Sequence, residues 1–253
     1  MSVVISVITQ KGGVGKTTTV NSLAATLNKV GKRVLTIDID PQSNLSFSTG
    51  ADVNASTIYD VLKGSAKAQD AIQRRPMTDI IPSTILLSGI ELEFTGQNRE
   101  FLLKKAIKPI KNLYDYILID SPPGLGILTV NALAACDYVL IPMLPDIFSL
   151  QGLALIYETI EHISKSCNPS IKFAGIVLNR YSKRSLLHRE VYGTAKMISE
   201  HLDIPIFNSI IRNCVALSEA QSLQCDITDY SGINTGAKDF KDLVNELFAR
   251  GIC

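Results

Sequence analysis

No tryptophan occurs in the 253 residues, aromatic side chains make up only 6%, and the charges nearly cancel at 25 Lys+Arg against 24 Asp+Glu. That balance excludes a uniformly basic or acidic, tail-like polyelectrolyte. No apolar run reaches the roughly 18 residues a membrane-spanning helix needs, and the opening MSVVISVITQ lacks a basic segment. These absences lead us to expect a soluble, unprocessed, cytoplasmic protein. The five cysteines (Cys136, Cys167, Cys214, Cys225, Cys253) are an odd set without a C-x-x-C pair, so neither a disulfide framework nor a zinc knuckle is indicated.

What the chain does have is aliphatic. Hydrophobic residues make up 46% of it, enough for a sizeable core. Apolar, β-branched runs recur at residues 3–8, 34–37, 116–119, 138–141 and 173–178. Continuous rather than alternating apolarity is what strands buried on both faces require. Between the runs lie helical spacings such as Leu23, Leu27 and Val30, or Leu153, Ile156, Ile160 and Ile163. The alternation predicts an α/β fold with a doubly wound, mainly parallel sheet flanked by helices, in one domain over residues 1–253. Residues 43–109 are the least regular and read as an insertion or crossover within that domain. Near the C-terminus Phe240, Leu243, Val244, Leu247 and Phe248 share one helical face, and the neighbouring charges cancel. Packing on the sheet is therefore expected rather than a stable association with an anionic membrane.

The first apolar run leads into Gln10-Lys11-Gly12-Gly13-Val14-Gly15-Lys16-Thr17-Thr18, after which a helical pattern begins. A glycine-rich turn between a buried strand and a helix aims backbone N–H groups and the positive helix end at an anion. At this spacing Lys16 reaches the β- and γ-phosphates of a nucleotide, and the Thr17 hydroxyl holds Mg²⁺. Gly12, Gly13, Val14, Gly15 and Thr18 complete the candidate phosphate site. The general pattern G-x-x-x-x-G-K-[ST] is only partly met: its first glycine position is Gln10, and a second lysine, Lys11, stands five residues before the usual one. Acids follow two later runs, in Asp38-Ile39-Asp40-Pro41 and Asp120-Ser121-Pro122-Pro123-Gly124. Carboxylates at the carboxyl ends of parallel strands face the ligand crevice of an open α/β sheet. Asp120 is placed to hold Mg²⁺ or one of its waters.

Residues 11–18 resemble the deviant Walker A box of the ParA/MinD family of P-loop NTPases. The likeness to ParA/Soj-type partition ATPases continues through residues 38–44, 57–62, 114–126, 131–135, 149–152 and 217–220. The resemblance implies that Lys11 contacts phosphates across an ATP-sandwich homodimer, that Asp40 orients and deprotonates the attacking water, and that Asp38 supports the metal shell. It assigns Asn179 to the adenine edge. It further implies ATP and Mg²⁺ as cofactors, hydrolysis to ADP and phosphate, nonspecific binding of double-stranded DNA, a nucleoid-associated location, and a ParB-like partner that stimulates turnover. Between residues 180 and 196, Arg180, Lys183, Arg184, Arg189 and Lys196 are set against the single acid Glu190, an excess suited to phosphate neutralisation. Relatives often carry an arginine directly before Leu217-Ser218-Glu219-Ala220; here that position is Ala216. The DNA contacts expected instead are Lys183, Arg184, Arg189 and Arg212. A MinD-like membrane-cycling ATPase and a nucleotide-gated switch with negligible turnover are the alternatives.

Overall fold

The computed structural model describes residues 2–252, the side chain of residue 91 excepted. The chain begins β1 (Val3–Val7), α1 (Lys16–Lys29), β2 (Val34–Asp38), α2 (Asn44–Ser48), α3 (Ile58–Lys63), β3 (Asp79–Ile81), α4 (Ile90–Glu93), α5 (Leu102–Ile107) and β4 (Tyr116–Asp120). Strand and helix then alternate through α6 (Ile127–Ala135), β5 (Tyr138–Met143), α7 (Ile147–Ser166), β6 (Lys172–Tyr181), α8 (Leu186–Leu202) and β7 (Ile206–Arg212). Three helices close the chain: α9 (Val215–Ser222), α10 (Ile227–Ser231) and α11 (Thr235–Ala249).

Among the described residues these seven strands form one sheet in the order β3-β2-β4-β1-β5-β6-β7, and neighbouring strands all run parallel. Parallel neighbours require crossover connections, whose helices cover both faces of the sheet. That is why β2 and β4 are buried at every position. Along β1 the alternation of side chains feeds two cores: Val4 packs with Ile58, Leu133 and Ile156 on one face, and Ile5 and Val7 pack with Leu23 and Phe240 on the other. The doubly wound arrangement expected from the sequence is present.

Two strands did not stand out in the apolar pattern. β3 has three residues and lies between Pro76 and Pro82, too short to register as a run. β7 is an edge strand in which Asn208 and Ser209 interrupt Phe207 and Ile211; their backbone N–H groups are taken up by the Glu246 carboxylate of α11 at 2.9 and 2.8 Å. On α11 the side chains of Phe240, Leu243, Val244 and Leu247 are buried. At about 1.5–3 kcal/mol for each such side chain, this face is committed to the core. No helix of the described residues is long and apolar enough to cross a membrane.

Candidate nucleotide site

β1 ends at the centre of the sheet, and residues 8–15 turn from it into α1. Register fixes what surrounds that turn: Asp120 pairs with Val7 on one side and with Asp38 on the other, so two carboxylates sit side by side at adjacent strand ends. Gly15 caps α1 with φ +93°, a left-handed conformation that favours glycine. A Cβ at Gly15 would strike the amide nitrogen of Asn179. That side chain is buried; its Nδ2 donates to the Val14 carbonyl at 2.8 Å and its Oδ1 accepts the Arg180 N–H at 3.0 Å. Asn179 thus ties the end of β6 to the phosphate loop. It also lines a recess beside Thr18 with Arg180, Asn213, Cys214 and Leu217.

Lys16 is 7% exposed, and burial lowers its pKa against the opposing pull of Asp120 and Asp40. Thr17 donates its hydroxyl to Asp120 Oδ2 at 2.7 Å. The second oxygen, Asp120 Oδ1, is buried and has no hydrogen-bond partner among the described residues. Burial and the neighbouring Asp38 charge push the Asp120 carboxyl well above the usual range, more than the Thr17 bond and Lys16 lower it. An orphaned carboxylate oxygen beside a threonine hydroxyl fits Mg²⁺, which takes one or two protein oxygens and fills its shell with water and phosphate. No cluster of three or more acidic, histidine or cysteine ligands occurs among the described residues, so a cage for another metal is not offered.

Asp38, expected to support the metal shell, accepts three hydrogen bonds in this structure. Its Oδ1 accepts the Asp40 N–H at 3.0 Å, and its Oδ2 accepts the Ser46 N–H and hydroxyl at 2.9 and 2.7 Å. Burial raises its pKa to about 6 despite those donors. Asp38 is therefore a brace for the loop that carries Asp40. Asp40 Oδ1 accepts the Gln42 N–H at 2.9 Å, and Ser83, beyond β3, donates to the Asp40 carbonyl at 2.6 Å. The Asp40 side chain lines the same cleft as Gly12, Gly13, Gly15, Lys16, Thr17 and Thr18.

Lys11 turns away from the loop. Its Nζ lies 2.6 Å from Asp146 Oδ2 and 5.5 Å from the centre of the Phe148 ring. Asp146 also caps α7 by accepting the Ser149 N–H at 2.8 Å. Burial opposes the Asp146 charge, but the Lys11 and Ser149 bonds leave its pKa below the ordinary value.

Of the expected DNA contacts, Lys183, Arg184 and Arg189 are exposed between β6 and the first turns of α8. Arg212 is not comparable. Its guanidinium grips Asp239 at 2.6–3.1 Å, and Asp239 is only 5% exposed. Arg180, counted by charge with the cationic stretch, instead lines the nucleotide cleft, as do Ser218, Gln221 and Ser222 of α9. Thr18 donates to Gln221 Oε1 at 3.0 Å. Ser218 belongs to the 217–220 stretch of the family resemblance; Gln221 and Ser222 carry no motif, and their spacing of three and four residues from Ser218 along one helix is the available signal. Cys136 is a buried helix-end thiol, its pKa raised by burial, and Cys253 lies outside the described residues.

A parallel sheet with a glycine loop at its switch point, a buried lysine opening the next helix, and a threonine–aspartate pair beside it define a P-loop nucleotide-binding protein. A family model described as an AAA domain matches residues 2–173. The chromosome-partitioning ATPase Soj of Treponema pallidum (strain Nichols) is 39% identical over 246 residues, covering 96% of each chain. Soj of Bacillus subtilis (strain 168), a sporulation initiation inhibitor protein, is 38% identical over 257 residues, covering 99% of this chain and 100% of that one. Cobyrinic acid a,c-diamide synthase from Mycobacterium smegmatis, with bound ATP analog and magnesium, matches with a TM-score of 0.87 at 29% identity, over 99% of this chain and 96% of that one. The chain belongs to the Soj/ParA family of P-loop ATPases.

Proposed function

We propose that residues 1–253 act as one ATP-hydrolysing partition module that binds Mg²⁺ and ATP, dimerises, coats nucleoid DNA in the cytoplasm, and releases it when a ParB-like partner stimulates turnover. The observation that carries this reading is the buried Lys16 and Asp120 with the Thr17 hydroxyl between loop and carboxylate, and Asp40 on the same cleft, in a chain 39% identical to a chromosome-partitioning ATPase across 96% of its length.

In this reading the backbone N–H groups of residues 12–18 and the Lys16 ammonium take the nucleotide phosphates. Thr17 and Asp120 hold the Mg²⁺, which when bound neutralises charge on the phosphate oxygens. Asp40, fixed by Asp38 and Ser83, orients the attacking water and accepts its proton. Asn179 fixes the loop that receives the phosphates, and Arg180 closes the recess for the base. Lys11 leaves Asp146 to reach the phosphates of the second protomer. The DNA surface is assigned to Lys183, Arg184 and Arg189, whose cations serve any sequence equally.

A DNA mobility shift with ATP, ADP and no nucleotide, repeated across a salt series, tests the proposal. Retardation that requires ATP and weakens steeply with salt is expected. Equal retardation under all three conditions, or none under any, overturns the DNA arm, and loss of phosphate release in Lys16→Ala checks the ATPase arm separately.

A further inference from the structure

A second cleft, of about 510 Å³, lies at the other end of the strands, with Arg33, Arg74 and Arg75 around a lining that includes Pro76, Met77 and Tyr114. Val34 opens β2, Asp79 opens β3 and Tyr114 precedes β4, so the parallel strands hold this cleft a strand length away from the phosphate loop, roughly 15 Å.

The charges around it are unevenly matched. Arg33 pairs with Asp115 at 2.8 Å, and Asp79 accepts the Tyr114 hydroxyl at 2.7 Å. Arg74 is exposed and has no acidic partner among the described residues. Arg75 Nη2 donates to Gln73 Oε1 at 2.7 Å, but its Nε–H is buried and has no acceptor among the described residues. A buried donor left unmatched costs on the order of 1–3 kcal/mol, so native structures answer such groups with water or an ion. Adjacent guanidinium forks match the planar oxygen pairs of phosphates and carboxylates. The volume falls within the range of small-molecule sites. Two arginines without an acidic partner among the described residues, in a concave cleft, suit one anionic head group better than the extended phosphate track of a polymer.

We propose that this cleft binds a small organic oxyanion, a phosphate or a polycarboxylate, through Arg74 and Arg75, with Pro76 and Met77 against its carbon body. The site is independent of the nucleotide cleft and does not rest on the partition reading.

The test follows the Arg75 Nε–H resonance in ¹⁵N-labelled full-length protein, assigned by its loss in Arg75→Lys, in Mg²⁺-free buffer. Sodium phosphate, sodium citrate and sodium chloride are titrated at matched ionic strength. A saturating shift with phosphate or citrate, absent with chloride, is expected. Tighter saturation by phosphate identifies the phosphate class, and tighter saturation by citrate the polycarboxylate class. Arg74→Ala, an exposed change, weakens that saturation at least tenfold while leaving ATP binding unchanged. A linear drift common to all three salts, or an Arg74→Ala titration identical to wild type, overturns the proposal.

Discussion

Replacing Gly15 by alanine tests the geometry on which the nucleotide site depends. The substitution adds one methyl group at a position with φ +93°, where an L-residue costs about 1–2 kcal/mol. The new Cβ also meets the Asn179 amide and drives Nδ2 off the Val14 carbonyl. A buried acceptor without its donor costs about 1–3 kcal/mol more. The sum, roughly 2–5 kcal/mol, is a large share of a typical folding free energy of 5–15 kcal/mol. Urea denaturation of the nucleotide-free protein should show a clear fall in midpoint, and titration with a non-hydrolysable ATP analogue should show at least a tenfold loss of affinity.

A second substitution separates the two causes. Asn179→Ala removes the amide that the methyl group strikes but leaves the backbone strain at position 15. In Gly15→Ala/Asn179→Ala the total loss should therefore fall short of the sum of the single losses, by about 1 kcal/mol or more. Gly15→Ala within about 0.5 kcal/mol of wild type, or strict additivity of the pair, would refute the reasoning, because surface-like behaviour is incompatible with a contact this close.

Three further outcomes are expected. Asp146→Asn should release Lys11 while keeping the α7 cap, since asparagine caps as well as aspartate. A half-exposed ion pair is worth about 0.5 kcal/mol, so losing one per protomer should tighten the ATP-driven dimer about fivefold by analytical ultracentrifugation, and an unchanged dissociation constant would sink the trans role of Lys11. Arg212→Ala should lower the urea midpoint and reduce the unfolding free energy by about 1–3 kcal/mol, because it strips the buried Asp239 of its partner. Lys183→Ala should leave that midpoint alone and reduce the slope of log affinity for DNA against log salt by about 0.9; the reverse pattern would exchange the two assignments. Finally, Asp120 holds its proton in the nucleotide-free protein to higher pH than an ordinary carboxyl does. Its contribution to folding is thus present at low pH and lost as pH rises through the raised value, while Mg²⁺·ATP binding needs the ionised form and strengthens over the same interval. Calorimetry in buffers of different ionisation heat should detect proton release on Mg²⁺·ATP binding that diminishes as pH rises through the raised value and is absent in Asp120→Asn.

The parts of the site legible in the sequence are those whose chemistry is local. Residues 11–18 place a loop, a lysine and a threonine on consecutive positions of one turn, and the acids announce themselves by following apolar runs. Side chains assembled from distant segments are not legible in this way. Asn179 stood out as a strand-end polar residue, yet its hold on Val14 spans 165 positions and depends on β6 lying two strands from β1. Arg212 read as a free cation because Asp239 is 27 residues away on a helix whose docking only the fold specifies. The Lys11–Asp146 pair spans 135 positions and was equally invisible. β3 escaped notice because three residues give no periodicity, yet β3 leads to Ser83, which holds the Asp40 carbonyl.

The hydrogen bonds around Asp38 explain why the neighbouring carboxylate is the one left incomplete. Every donor that reaches Asp38 is an N–H or O–H: two backbone amides and the Ser46 hydroxyl. All three bonds are accepted by the carboxylate oxygens, so the arrangement favours the anion even though burial raises its pKa to about 6. Its charge then stands beside Asp120 in the strand register, where it opposes ionisation of a carboxyl that, among the described residues, has only the Thr17 hydroxyl as a hydrogen-bond donor. Lys16 offsets part of that repulsion, and the unmatched Asp120 oxygen retains affinity for either a proton or a cation. The same Asp38 also fixes the Asp40 N–H. One buried carboxylate therefore sets both the cation demand at Asp120 and the position of the loop assigned to the attacking water, so a neutral Asp38 should disturb Mg²⁺ affinity and turnover together rather than either alone.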